Sequence, residues 1–313
     1  MYKKRILDYV EFLHIGKKIF ELLDVQNILV LNEVGETERT ILKVKNDRIP
    51  SFLLKHDFSN YFLESEKILW EYENIRLIPF TSKKFLIWGN AQYEYYTKNG
   101  IDQNKLMIIG NPRYDKFFKI QHIQKNNKII LITPEPITEF PGLADTNLAI
   151  RYENLINKII DGIKKIPNTK IIVKLHPGDD IHNKTLLSIF EKIDSSIPIF
   201  HIKKISELLE ECDVLLNITC EINDPSTVMI EGMIFEKPVF EVSLDEKTNR
   251  FEYQENSPIL SLSYKAEIDN YLSKIVLDSK FKNELLLNQK KYLEYFLVNR
   301  GTASKNVVKI LDS

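Results

Sequence analysis

Several features that mark specialised classes of protein are scarce or missing in this chain. Of its 313 residues only Cys212 and Cys220 are cysteines, and their spacing fits no zinc or redox motif, so we expect packing residues in a reducing compartment. Lysine plus arginine (43) and aspartate plus glutamate (44) nearly cancel, which removes any global electrostatic argument for nucleic acid as a partner. No apolar run approaches the ~18 residues of a membrane span. Asp8 and Glu11 interrupt the first apolar run, so we expect no signal peptide and predict a cytoplasmic protein.

Motifs for metals, nucleoside triphosphates and dinucleotides are also missing. The chain contains no Asp-x-Asp, no pair of histidines spaced for one helix face and no cysteine cluster, so we predict no bound metal. It has no Gly-x-x-x-x-Gly-Lys loop and no Gly-x-Gly-x-x-Gly after a strand. These absences disfavour hydrolysis of nucleoside triphosphates and a dinucleotide cofactor, and we predict no cofactor.

The chain instead shows short apolar runs that alternate with helical patterns, which predicts an α/β protein with parallel sheets covered by helices. Its length suits about two domains, and the polar, aperiodic segment Lys119–Lys128 is the expected linker. We therefore predict one Rossmann-like domain over 1–120 and a second over 121–313. The first is reduced, because it begins on a helix and offers only about four strands. Beyond Pro258 the chain is predicted to be helical.

The predicted strands cover residues 27–31, 49–55, 85–88, 106–109, 128–133, 170–175, 198–201, 213–217 and 238–241.

The first candidate site follows the apolar run Ile171–Val173. His176 lies where this strand should stop, and Pro177 prevents a straight continuation. In open α/β sheets, ligands bind beyond the carboxyl ends of the strands. We predict that His176 binds a phosphate; the alternative is a structural histidine whose hydrogen bonds are satisfied within the protein.

The second candidate site follows the run Val214–Asn217. Ser226 and Thr227 lie where the next helix should begin, and a helix start presents N–H groups and a partial positive charge to anions. Either hydroxyl could also cap the helix, and one could cap while the other donates to a ligand. Glu231, one turn later, could accept hydrogen bonds from a ribose or simply face solvent.

The first domain offers candidates for a general base. His56 and Asp57 follow the predicted strand that contains Phe52, and Glu33 follows the strand that ends at Leu31. A histidine at the rim of a cleft is a reasonable general base near neutral pH, so His56 is the predicted base, with Glu33 and Asp57 as alternatives.

A turn over Gly110–Asp115 follows another strand of the first domain. Gly110, Asn111 and Pro112 force the turn. Arg113 could meet a phosphate or pair with Asp115, and we expect the pair.

At these residues the chain resembles surface-polysaccharide transferases of bacteria and archaea that have the two-domain GT-B glycosyltransferase fold. The similar groups are the CDP-glycerol glycerophosphotransferases and the transferases of the capsule or sialic-acid type. The segments that carry the likeness are Lys174–Pro177, Pro225–Val239, Phe85–Asp115 and Ile49–His56.

The resemblance implies two Rossmann-like domains that face each other across a cleft, and a metal-independent transfer of a sugar or polyol phosphate. It also implies a nucleotide-activated donor, and as acceptor a glycan or a lipid-linked glycan at the inner face of the membrane. His56 would lie near the acceptor, although Asp57 stands where the family has glycine. The residues implied on the donor side are Lys174, His176, Pro177, Ser226, Thr227, Glu231, Asn111 and Arg113.

Two alternatives stay open. UDP-N-acetylglucosamine 2-epimerases share the architecture, but they usually show a Ser-Gly-Gly-type turn where this chain has Asp224–Thr227. The other alternative is a non-catalytic subunit that binds nucleotide sugars. It is suggested by the short first domain and by Asp57, which stands where the family has glycine.

Overall fold

The predicted alternation of strands and helices forms two separate parallel sheets. A computed structural model describes residues 2–33, 35–55, 80–98, 100–120, 128–136, 148–178, 180–219, 226–244 and 257–312. The described chain divides into two units. Unit 1 contains the described residues up to Lys116 together with Tyr295–Ser313, and unit 2 contains Phe117–Glu294.

Unit 1 holds a four-stranded parallel sheet with the order β1-β2-β3-β4, so the expected small sheet is confirmed within the described residues. Its core joins Phe52, Leu86 and Ile109 to Val307 from the C-terminal segment. The strands are β1 (Ile28–Val30), β2 (Ser51–Leu54), β3 (Lys84–Ile87) and β4 (Leu106–Ile108). The first three helices are α1 (Tyr2–Leu22), α2 (Glu36–Val44) and α3 (Asn90–Lys98).

Unit 2 holds a six-stranded sheet with the order β10-β9-β8-β5-β6-β7, in which every neighbouring pair is parallel. The strands are β5 (Ile129–Pro134), β6 (Lys170–Lys174), β7 (Ile199–Phe200), β8 (Val214–Thr219), β9 (Val239–Ser243) and β10 (Leu260–Ser263). The helices are α4 (Leu148–Lys164), α5 (Asp180–Asp194), α6 (Ile205–Glu211), α7 (Thr227–Ile234), α8 (Ile268–Leu277) and α9 (Ser279–Phe296).

The core of unit 2 explains why its strands are so apolar in sequence. Ile132 of β5, Leu216 of β8 and Val242 of β9 are completely buried in one cluster. Helix α4 adds Tyr152, Ile156 and further residues at the three- and four-residue spacing of a single helix face. Strands that are covered on both faces read as continuous apolar runs, and this is the signal that located them.

The strand β10 corrects the prediction that only helices follow Pro258. Leu260–Ser263 pair in parallel with β9, with Leu260 opposite Phe240. Leu260 is fully buried, and the ladder satisfies backbone groups that would otherwise be buried without partners. Leucine and serine alternate strictly over these four residues, which is a strand pattern, and the prediction of helices alone did not take it into account.

The C-terminal segment corrects the predicted division of the chain, because it belongs to unit 1 and not to the second domain. The last turn of α9 leads into this segment, and the N–H of Val298 donates to the carbonyl of Trp88 at 3.0 Å. A Cβ atom at Gly89 would lie 2.2 Å from the carbonyl oxygen of Phe296. A Cβ atom at Gly110, where φ is +85°, would lie 2.4 Å from the carbonyl oxygen of Val298. Two glycines therefore let the returning backbone lie directly against the ends of β3 and β4.

The final helix, α10 (Ala303–Leu311), is fastened to unit 1 by Asp115. The two carboxylate oxygens of Asp115 accept the N–H groups of Ala303 at 2.9 Å and Ser304 at 2.7 Å. The helix start offers unpaired N–H groups and a partial positive charge, so a buried carboxylate is a favourable partner.

No helix in the described ranges combines the length and the apolar character needed to cross a membrane.

Candidate functional site

The carboxyl ends of the unit 2 strands meet at one edge, and the strand order reverses there. The chain runs from β5 to β6 on one side and returns to β8 on the other side of β5. Such a reversal is where open α/β sheets bind ligands. The Tyr152 hydroxyl fixes the backbone just after β5, because it donates to the carbonyl oxygen of Glu135 at 2.8 Å.

His176 lies at this edge, two residues after β6, and its side chain is exposed. The N–H of Gly178 donates to Nδ1 of His176 at 3.2 Å. Because Nδ1 accepts, the proton of the neutral ring lies on Nε2. The imidazole therefore carries an N–H donor of the kind that a phosphate oxygen accepts. Pro177 and Gly178 form the exposed turn that permits this contact.

Lys174 supports the same turn from inside the protein. Lys174 is only 8% exposed, and its Nζ donates to the carbonyl oxygens of Leu175 at 2.6 Å and His201 at 2.9 Å. Burial lowers the pKa of Lys174. Its ammonium group thus holds backbone carbonyls beside His176, and direct contact with a donor stays a prediction.

Ser226 and Thr227 lie at the start of α7, as the sequence predicts. Ser226 is the N-cap residue with extended backbone (φ −60°, ψ 130°), but its side chain makes no capping hydrogen bond. Both side chains are half-buried. Capping by the Ser226 hydroxyl, which was the ordinary explanation for a serine here, does not occur.

Glu231 is not a solvent-facing residue, so that alternative is wrong. It is 2% exposed in the middle of α7. The helix packs very closely on the sheet, since a Cβ at Gly232 would lie 2.5 Å from Cδ2 of Leu215. A ribose contact of Glu231 stays a prediction.

A buried chain of polar side chains at the same edge escaped the sequence analysis. Thr133 donates to Oδ1 of Asn217 at 2.9 Å, and Nδ2 of Asn217 donates to Thr219 at 3.0 Å. The hydroxyls of Thr219 and Ser261 then donate to the two carboxylate oxygens of Glu241 at 2.7 and 2.8 Å. Glu241 is 1% exposed, so these bonds offset part of the cost of burying its carboxylate. Polar residues inside otherwise apolar strands were the available signal.

Asn111 and Arg113, which were predicted on the donor side, lie in unit 1. Asn111 is buried, and its Oδ1 accepts the N–H of Arg113 at 3.0 Å, which caps the short 3-10 turn Pro112–Tyr114. Arg113 is exposed, and its guanidinium carbon lies 5.9 Å from the centre of the Tyr114 ring. The carboxylate of Asp115, the expected partner of Arg113, is used by the start of α10. This turn therefore has a clear structural task in anchoring the C-terminal segment.

Glu33 also has a structural task in unit 1. It is buried, and its carboxylate accepts the N–H of Ser82 at 2.8 Å and that of Thr81. The other two candidates for the base, His56 and Asp57, lie outside the described residues. The assignment of the base stays a prediction.

Among the described residues, no three histidine, cysteine, aspartate or glutamate side chains are grouped so that they could hold a metal ion.

Comparison with solved structures establishes the fold class. No protein-family model and no curated protein matches the chain. The UDP-GlcNAc 2-epimerase of Neisseria meningitidis bound to UDP-GlcNAc is similar with a TM-score of 0.64 at 17% identity, over 97% of this chain and 80% of that one. The S. aureus MnaA–UDP co-structure gives 0.63 at 14% identity, over 96% and 79%.

A mutant of S. aureus TarM in complex with fondaparinux, alpha-GlcNAc-glycerol and UDP gives a TM-score of 0.50 at 12% identity, over 95% of this chain and 58% of that one. At these identities the likeness concerns the fold alone. The chain has a two-domain, Rossmann-type α/β fold of the GT-B kind.

Proposed function

We propose that this protein is a transferase that moves a sugar or a polyol phosphate from a nucleotide-activated donor to a glycan or lipid-linked acceptor. The observation that carries the proposal is the strand order: β6, which leads to His176, and β8, which precedes α7, lie on either side of β5 in a single parallel sheet. Two strand spacings of ~4.8 Å separate β6 from β8, about 10 Å, and side chains from both can reach a nucleotide phosphate between them.

In this proposal the Nε2–H of His176, the hydroxyls of Ser226 and Thr227 and the first N–H groups of α7 stabilise charge on the leaving phosphate. A helix start alone contributes only about 0.3–1 kcal/mol at an exposed position. Tight binding therefore needs the imidazole and the hydroxyls as well. Removing one such donor from a comparable site typically lowers kcat by roughly 10²–10³.

The acceptor hydroxyl needs a base, and His56 is the proposed one. The carboxylate of Glu33 is held by two backbone N–H groups, which favours a structural role for it. An acceptor of the surface-polysaccharide type would bring the protein to the inner face of the membrane.

A calorimetric and thermal-shift panel of CMP, CDP, UDP and GDP tests the phosphate assignment. We expect one nucleotide to stabilise the wild type and His176→Ala to lose that response. His14→Ala is the matched control, because His14 is an exposed histidine of α1, and it should respond as the wild type does. A full response from His176→Ala would overturn the assignment.

The second candidate is an isomerase of the UDP-GlcNAc 2-epimerase type. It is favoured by the two solved structures with TM-scores of 0.64 and 0.63, since the first is an epimerase bound to UDP-GlcNAc and the second holds UDP. Epimerisation of UDP-GlcNAc without any acceptor, followed by NMR, would support it. Nucleotide release only when an acceptor is present supports the transferase. A non-catalytic subunit would bind the donor without turning it over, and His56→Ala would leave any bulk activity unchanged.

A further inference from the structure

The residue that holds the main chain of His176 is Asn183. It lies in the first turn of α5, the helix that follows the His176 turn, and it is 5% exposed. Its Nδ2 donates to the carbonyl oxygen of His176 at 2.7 Å. The sequence analysis did not single out Asn183.

The hydrogen bond from Asn183 to His176 lies just beyond the last backbone hydrogen bond between β6 and its neighbouring strand. The N–H of Leu175 still donates to the carbonyl of Phe200 at 2.9 Å, as in a regular ladder. Beyond it the carbonyl of Leu175 is bound by Lys174 and that of His176 by Asn183. Two side chains thus replace the neighbouring strand and fix the path of the backbone up to His176.

The orientation of the Asn183 amide is determined by its surroundings. Nδ2 also lies 3.1 Å from Nε2 of His201. With the amide reversed, Oδ1 would face the carbonyl oxygen of His176, which is also an acceptor. In the observed orientation Oδ1 is buried without a hydrogen-bond partner among the described residues. An unpaired buried oxygen lowers stability, so packing alone does not explain an asparagine at this position.

We propose that Asn183 is a positioning residue that presents His176 to the donor phosphate; the inference rests on the proposed function. Asn183 fixes the backbone of His176, and the N–H of Gly178 fixes its ring through Nδ1. Without Asn183 the turn relaxes and Nδ1 loses the N–H of Gly178, so the ring is no longer held in one orientation. Its Nε2–H then points at a phosphate oxygen only part of the time.

The test compares Asn183→Asp with Asn157→Asp. Both substitutions keep the size of the side chain and remove an Nδ2 donor from a backbone carbonyl, because Nδ2 of Asn157 donates to Glu153 at 3.0 Å. Asn157 lies on α4 and serves as the control. The first readout is the affinity for CMP, CDP, UDP and GDP by calorimetry, and we expect about tenfold weaker binding for Asn183→Asp only.

The second readout needs no ligand. Nitrogen-15 NMR of the histidine rings, with His176 assigned by its absence in His176→Gln, measures whether Nδ1 accepts a hydrogen bond. We expect the Nδ1 shift of a hydrogen-bonded nitrogen in the wild type and in Asn157→Asp, and a shift close to that of a free imidazole in Asn183→Asp. Asn183→Ala repeats both measurements without a new charge, in case Asn183→Asp does not fold.

The outcomes separate this inference from the proposed function. If the wild type binds none of the four nucleotides, the proposed function fails, and the NMR readout alone decides whether Asn183 positions the ring. An unchanged His176 signal in Asn183→Asp overturns the inference. So does an unchanged affinity in a protein whose wild type binds a nucleotide.

Discussion

Replacing Asp115 by asparagine should release the C-terminal helix from unit 1. The carboxylate accepts two N–H groups, from Ala303 at 2.9 Å and from Ser304 at 2.7 Å. The N-cap residue of α10, Thr302, makes no capping bond of its own. Asp115 is therefore the side chain that caps this helix, although it lies far away in the sequence.

The magnitude follows from the number of oxygens used. Asparagine keeps one acceptor oxygen and places an NH₂ group where the second one was, against a backbone N–H. The loss of one hydrogen bond to a charged group costs about 1.5–3 kcal/mol. The lost charge at the helix start adds about 0.3–1 kcal/mol, and the two effects overlap. We expect a loss of roughly 2 kcal/mol, which corresponds to an opening equilibrium constant about 30-fold larger and to amide exchange about 30-fold faster.

The assay is amide hydrogen exchange along α10, which reads the local free energy of opening without requiring the two units to unfold together. The matched control is Asp102→Asn. Asp102 accepts a single N–H, from Asn104 at 2.9 Å, at an exposed turn. Asparagine and aspartate are about equal as caps when one oxygen is used, so this variant should exchange as the wild type does.

Exchange in α10 that stays as slow in Asp115→Asn as in the wild type would refute the reasoning. Equal acceleration in both variants would also refute it, because the effect would then not depend on the second oxygen.

Two further predictions concern other contacts. Gly110→Ala should lower the melting temperature far more than Gly100→Ala: both glycines have φ near +85°, but only Gly110 has a backbone oxygen, that of Val298 at 2.4 Å, in the way of a Cβ. Equal losses would show that φ alone matters. Burial lowers the pKa of Lys174 below its usual 10.5. Between the lowered pKa and 10.5 the unfolded chain therefore binds more protons than the folded one, and the contribution of Lys174 to the free energy of unfolding rises as the pH approaches 10.5. Lys174→Met should remove this rise from urea unfolding curves. Lys165→Met should leave it, because the hydrogen bond to Asp269 raises the pKa of Lys165 above 10.5; parallel curves for Lys174→Met and the wild type would contradict the prediction.

The strands were predictable because their signal is local. A strand buried on both faces is apolar throughout, as Val214–Leu216 is in β8, whatever its neighbours are. Strand β10 has no such apolar run: two serines alternate with two leucines, which is the weaker pattern of a half-buried strand, and it pairs with β9.

The roles of polar residues were less predictable, because their partners are distant. For Asp115 only a pair with Arg113, two residues earlier, was expected, and its cap on a helix 188 residues later was not foreseen. Glu241 and Thr219 were not noticed, because their hydrogen bond requires β8 and β9 to be neighbours in register. The role of Asn183 depends on its bond to the carbonyl of His176, seven residues earlier and on the far side of a turn.

The order of apolar runs and turn residues determined by itself that the chain forms parallel sheets, and that His176, Ser226 and Thr227 follow strands. These properties depend on the hydrophobicity and backbone preferences of adjacent residues. Only the tertiary structure decided that the last helix belongs to the first unit, that Glu231 is buried, and which side chains hold the His176 turn. Those outcomes depend on which atoms approach each other across the fold, and no local pattern encodes such distances.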